Sequence, residues 1–113
     1  MEIETAVRAK LPLLIIVINN NGVYHGLDSK EYNVATNLPS TALLPEVRYD
    51  QIADACGGKG YFVRRPDELG KAVEAALGID QDKCVVINVM IQPGGKTKLV
   101  RYGILGYLNE VRN

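Results

Sequence analysis

Between Leu13 and Ile18 the chain carries an unbroken aliphatic run, and it stops abruptly at Asn19, Asn20, Asn21 and Gly22. A strand with one wet face alternates between apolar and polar side chains. This run does not, so both of its faces are expected to be covered. It is too short to span a bilayer. Its β-branched content, with Pro12 ahead of it, favours a strand over a buried helix. The reading is a buried central strand, with Asn19 opening a loop that faces a ligand. Ligands of parallel α/β sheets gather beyond the carboxyl ends of their strands.

The other segments arrange themselves around that strand. Residues 1–10 predict a helix, with Ile3, Ala6 and Val7 on one face and acidic residues early, basic residues late. A polar stretch follows Gly26 as far as Arg48, long enough to be functional or to hide short helices. Asp50 is placed to cap a short helix that bears Ile52, Ala53, Ala55 and Cys56 and ends at Gly57 and Gly58. Residues 60–63 read as a strand. Pro66, Asp67 and Glu68 open a helix whose apolar residues Leu69, Ala72, Val73, Ala76 and Leu77 recur at helical spacing up to Gly78. Of these, Leu69, Val73 and Ala76 are expected to face the sheet. A second apolar run, 84–91, reads as another strand. The alternation of helix and strand predicts an α/β fold: a parallel sheet with flanking helices. The tail from Gln92 onward differs. Leu99, Tyr102, Leu105, Leu108 and Val111 recur at about every third residue, which permits a helix that Gly103 and Gly106 weaken.

Composition narrows the partners. Among 113 residues, 13 basic side chains balance 13 acidic ones. Nucleic acid and anionic membrane both select a basic excess, so neither is expected as a partner. No membrane span is visible. Cys56 and Cys84 have no metal-type spacing and no basic neighbour pattern, so both read as packed thiols in a reducing compartment. His25, the sole histidine, has no visible acid–base partner and reads as an ordinary loop residue. Lys59, Arg64 and Arg65 could meet a phosphate, but a solvated surface is the default.

The asparagine turn is the candidate site. Magnesium takes hard oxygen ligands in near-octahedral geometry and commonly combines a few protein groups with phosphate oxygens. One asparagine amide and one backbone carbonyl would provide part of such a shell, with Gly22 letting the chain curl. The competing reading is a tight Asn-Gly turn joining two strands of a hairpin. From the turn alone the two stand level.

The residues around the turn add a resemblance. Met1 to Arg8, then Leu11 to Tyr24, resemble thiamine-diphosphate-dependent enzymes, and more narrowly the 2-hydroxyacyl-CoA lyases and the related oxalyl-CoA decarboxylases. Further blocks follow in the same order: Leu43 to Pro45, Tyr49 to Ala53, Gly57 to Val63, Pro66 to Leu69 and Val86 to Ile91. The resemblance runs from Met1 to about Pro93. It implies that residues 1–93 are the C-terminal half of a thiamine-diphosphate-binding domain and that 94–113 are a divergent tail. Carried over by position, Asn20 supplies a side-chain ligand to magnesium and Gly22 a carbonyl ligand. Val23 and Tyr24 fall at the cofactor pocket, and Asn21 stands where relatives often have glycine. The implied reaction cleaves a 2-hydroxyacyl-CoA to formyl-CoA and an aldehyde. The alternatives are oxalyl-CoA decarboxylation and a non-catalytic α/β interaction module.

The resemblance also implies what this chain does not carry. The family's magnesium-binding aspartate precedes the stretch matched here, and its cofactor-activating glutamate belongs to another domain. The chain is therefore expected to be a fragment with no catalytic residue of its own. Complete relatives imply a homo-oligomer and a peroxisomal address, although the chain ends Val-Arg-Asn rather than in a Ser-Lys-Leu-like signal, which leaves a cytoplasmic location as the alternative.

Overall fold

A computed structural model of the chain describes residues 1–93. The proposed helical tail, 94–113, lies outside the described residues. The elements run α1 (Glu2–Arg8), β1 (Leu14–Asn19), α2 (Ser29–Val34), α3 (Asp50–Ala55), β2 (Lys59–Val63), α4 (Pro66–Leu77) and β3 (Val85–Met90). The three strands are parallel, in the order β1-β3-β2. Helices occupy both crossovers, as parallel neighbours require. The α/β architecture expected from the alternation is therefore present. The polar stretch after Gly26 contains α2, whose Asp28 and Glu31 form a reciprocal capping box.

Register decides which residues share a face. Leu14, Ile16 and Ile18 align with Val85, Ile87 and Val89, and these with Lys59, Tyr61 and Val63. Alternate residues of a strand point the same way, so this set forms one face. Helix α4 covers it over β2 and β3. Ala72 and Ala76 join Val63, Val85 and Ile87 in a buried cluster, with Leu69, Val73, Tyr61 and Val89 packed against it. The opposite face carries Val86 and Asn88 and meets α3, where Asp50 and Ala53 are buried.

The predicted helix over 66–77 has the expected bounds and direction. Pro66 sits in its first turn with Asp67 and Glu68. The Glu68 carboxylate accepts the Arg64 N–H at 2.8 Å and so satisfies a donor just ahead of the helix. Leu77, the last apolar residue of the stripe, turns outward and is exposed.

Two expectations need correction. β1 is an edge strand, and its run is not buried on both faces. Leu13, Leu14, Ile16 and Ile18 are exposed, Ile18 to 61%, while Ile15 and Val17 are half-buried. The reason lies in coverage: α4 packs on β2 and β3, and no described helix makes an extended contact with β1. The strand buried on both faces is β3, whose Val85 to Asn88 are all enclosed. The second correction concerns Asp50. It begins α3 rather than capping it; Tyr49 occupies the cap position and makes no side-chain bond there. Arg48 has claimed the carboxylate instead, through Nε at 3.0 Å and Nη2 at 2.7 Å.

The charged groups of this small core set its response to pH. Burial pushes the Asp50 carboxyl up, but the Arg48 hydrogen bonds and charge outweigh that and leave it below its ordinary value. Asp80 is held low by the Tyr61 hydroxyl and by Lys83, and Glu68 by the Arg64 amide. A carboxyl depressed on folding stabilises the fold above its unfolded pKa and loses that contribution as pH falls through the folded value. Stability is therefore expected to fall below the ordinary values of 3.8 to 4.5. Tyr61 is pushed from 10.0 up to about 12, first by its hydrogen bond to Asp80 and then by burial. Its contribution is complete below pH 10.0 and is lost as pH rises towards 12. Thermal midpoints measured across this range should drop at both ends, and Tyr61→Phe should shrink both drops, because it removes the alkaline titration of Tyr61 and also the hydroxyl that helps hold Asp80 low.

Candidate functional site at the end of the first strand

Beyond Asn19 the backbone curls through two successive side-chain turns. Asn19 Oδ1 accepts the Asn21 N–H at 3.0 Å, and Asn20 Oδ1 accepts the Gly22 N–H at 3.2 Å. Asparagine favours this because its short amide can copy a backbone turn. Asn21 has φ of 64°, a left-handed conformation that asparagine tolerates better than most residues. That conformation gives a physical reason for glycine or asparagine at this position.

The three asparagines do different work. Asn19 donates from Nδ2 to the Val47 carbonyl at 3.1 Å. Asn21 donates to the Leu27 carbonyl at 3.0 Å, and its Oδ1 accepts the Glu46 N–H at 2.8 Å. Its own carbonyl accepts the Leu43 N–H at 3.0 Å. Both side chains are buried and committed. Asn20 lies between them, half-buried. Its Nδ2 donates to the Tyr24 carbonyl at 3.2 Å. Its Oδ1 keeps acceptor capacity beyond the one bond from Gly22, since an amide oxygen has two lone pairs. The Gly22 carbonyl accepts no hydrogen bond among the described residues.

The hairpin reading does not survive. β1 pairs in parallel with β3, and the chain beyond the turn makes only an isolated bridge, Gly22 to Ala42. That bridge brings the segment around Thr41 against the turn, with the Val23 N–H donating to the Thr41 carbonyl at 2.8 Å. A Cβ on Gly22 would stand 2.6 Å from both the His25 and Thr41 carbonyl oxygens. Sequence reasoning missed Gly26, where a Cβ would stand 2.0 Å from the Asn20 carbonyl oxygen. The only signal for it was a glycine four residues after another in a turn.

Val23, Tyr24 and His25, which follow the turn, are exposed, Tyr24 to 70%. The Tyr24 and His25 rings meet edge-on at 4.6 Å. A hollow of about 240 Å³ adjoins the turn, lined in part by Asn21, Glu46, Arg64 and Met90. A larger hollow, about 520 Å³, lies beside Lys10, Gly58 and Cys84. Those residues sit at the amino ends of the strands, the end of a parallel sheet where ligands do not gather.

The other candidates separate. Lys59 opens β2, whereas Arg64 and Arg65 follow its end, so they form no common cluster. Arg64 pairs with Glu46, and Arg65 lies near Asp67 and Glu68. Arg48 and Arg64 both stack on Phe62, 4.4 and 5.0 Å from the ring centre. Cys84 is buried and its thiol is pushed up by burial and then by Cys56, as suits a packed thiol. Among the described residues no three His, Cys, Asp or Glu side chains converge as a metal site. The oxygens the turn itself offers are amide and carbonyl oxygens, which suit a hard cation.

A parallel α/β sheet with an oxygen-donor turn just past the carboxyl end of a strand defines a class of phosphate- and cofactor-binding domain. Residues 1–89 match the thiamine pyrophosphate enzyme, C-terminal TPP binding domain, and the chain belongs to that family. It is similar to 2-hydroxyacyl-CoA lyase 1 of Mus musculus, 42% identical over 105 residues that cover 87% of this chain and 18% of the mouse protein. It is likewise similar to the 2-hydroxyacyl-CoA lyase of Saccharomyces cerevisiae, 41% identical over 101 residues covering 88% and 17%. Oxalyl-CoA decarboxylase of Escherichia coli K12 is 42% identical over 98 residues covering 87% and 17%. The chain thus spans less than a fifth of the length of these relatives. No helix among the described residues is long and apolar enough to cross a membrane.

Proposed function

We propose that this chain forms one wall of a thiamine-diphosphate and magnesium site in a lyase acting on 2-hydroxyacyl-CoA, giving formyl-CoA and an aldehyde. One observation carries the reading. In a turn whose neighbouring amides are committed to structure, Asn20 Oδ1 and the Gly22 carbonyl keep acceptor capacity at the ligand end of β1. An amide oxygen and a carbonyl oxygen are donors that magnesium accepts beside phosphate oxygens. Asn20 and Gly22 would hold the metal, and the metal would fix the diphosphate. Val23 and Tyr24, exposed beside them, would line the cofactor.

When bound, thiamine diphosphate supplies the electron sink that cleavage next to a carbonyl requires. The residues here bind and orient it, and none of them is assigned a proton transfer. The family's aspartate ligand would be supplied by the segment that precedes the matched stretch in complete relatives, and the activating glutamate by another domain, there commonly that of a homo-oligomer partner. A peroxisomal location is part of the same reading.

The test is a titration of the isotope-labelled chain with magnesium and thiamine diphosphate, followed by NMR. Shifts centred on the Asn20 to Tyr24 amides support the site. No response at millimolar cofactor would favour a non-catalytic interaction module, which the bare edge and face of β1 would suit. Assaying a chain that carries the rest of the enzyme for aldehyde against carbon dioxide separates the lyase from the oxalyl-CoA decarboxylase alternative.

A further inference from the structure

Asn88 is the one polar side chain in the buried stretch from Val85 to Asn88, and it is fully enclosed. Its Nδ2 donates to the Val47 carbonyl at 2.8 Å and lies 3.5 Å from Asp50 Oδ1. Its Oδ1 is buried without a hydrogen-bond partner among the described residues. The amide cannot simply be turned over, because its oxygen would then face the Val47 carbonyl and the Asp50 carboxylate. An unpaired buried acceptor is a cost that valine at this position would avoid. What the amide provides in return is its grip on Val47.

The Val47 carbonyl is held twice, from Asn88 on β3 and from Asn19 at the end of β1. Val17, two residues before Asn19 and so on the same face, pairs with Asn88 across the sheet. The residue before Val47 is Glu46, whose N–H donates to Asn21 Oδ1. A short chain of contacts therefore runs from the core to the turn. We propose that Asn88 is a positioning residue: with Asn19 it clamps Val47, and through Glu46 and Asn21 it fixes the Asn20 to Gly22 turn in its ligand-holding shape. The role in cofactor binding rests on the function proposed above; the clamp itself does not.

The experiment uses the 113-residue chain and two readouts. The first is native-state hydrogen exchange. Asn88→Val should lower protection of the Glu46 and Leu43 amides at least tenfold more than that of the β2 and β3 ladder amides. A merely destabilised core would lower them all together, so Ala72→Gly in α4 provides the comparison. The second readout is the response of the Asn20 and Gly22 amides to magnesium and thiamine diphosphate, which Asn88→Val should weaken at least threefold and Ala72→Gly should not. Should the valine variant fail to fold, Asn88→Ser, too short to reach Val47, is read the same way. Protection at Glu46 and Leu43 that falls no further than the ladder amides overturns the clamp. A parent chain that ignores the cofactor while the exchange result holds overturns the functional reading and leaves the clamp standing.

Discussion

Gly26→Ala is expected to collapse the asparagine turn. Its Cβ would lie 2.0 Å from the Asn20 carbonyl oxygen and 2.3 Å from the Asn21 carbonyl carbon. Both neighbours are backbone, so no flexible side chain can swing aside. Nor can Asn21 retreat, since its side chain holds Leu27 and Glu46 and its carbonyl holds Leu43. Overpacking of this kind costs roughly 1–3 kcal/mol or more. In a domain of this size each kcal/mol lowers the thermal midpoint by roughly 4–8 °C. The response of the Asn20 to Tyr24 amides to magnesium and thiamine diphosphate should vanish. Gly70→Ala is the contrasting case. A Cβ there meets nothing within 4 Å, and α4 should gain roughly 0.5–1 kcal/mol from the better helix former. Calorimetric melting of the two variants checks both signs. A midpoint and cofactor response for Gly26→Ala equal to the parent's would remove the turn from the account of the site.

What the sequence disclosed was mostly local. Helix α4 was legible because Pro66, the acidic first turn and the apolar spacing all point the same way, and the core confirms them. β3 was legible as a strand from its apolar run. Its central place was not, because both β1 and β3 are aliphatic throughout and only the pairing distinguishes edge from centre. The apolar outer face of β1 shows why: composition records what a strand is suited to be covered by, whereas exposure records what covers it. Asn88 was invisible for a different reason. An asparagine within a hydrophobic strand gives no sign of which carbonyl it will meet, and Val47 lies forty-one residues away. The turn at Asn19 to Gly22 stood out from the start, but its inner logic did not. That the side chains of Asn19 and Asn21 are tied to distant carbonyls and amides while Asn20, which bonds only within the turn, retains acceptor capacity follows only from the partners each amide finds.

The 113-residue chain is expected to form no aldehyde from a 2-hydroxyacyl-CoA when assayed alone with magnesium and thiamine diphosphate. On the proposed reading Asn20 and Gly22 would provide two oxygens of a shell that needs about six, and magnesium sheds water reluctantly. A metal held from one side gives weak binding and leaves the diphosphate free to shift. The resemblance places the proton-transferring glutamate in another domain, and loss of such a group alone costs on the order of 10²–10⁴-fold in rate. In a chain that carries the whole enzyme the same residues become decisive. Asn20→Ala should there abolish cofactor-dependent turnover, because on the proposed reading it removes the side-chain oxygen that would hold the metal. His25→Ala should leave most of it, since the ring is exposed and touches only Tyr24 in the ring pairing seen here. Steady-state assays of both variants, with cofactor affinity measured beside them, separate these roles. Robust aldehyde formation by the short chain with nothing added would falsify the division of the site between segments.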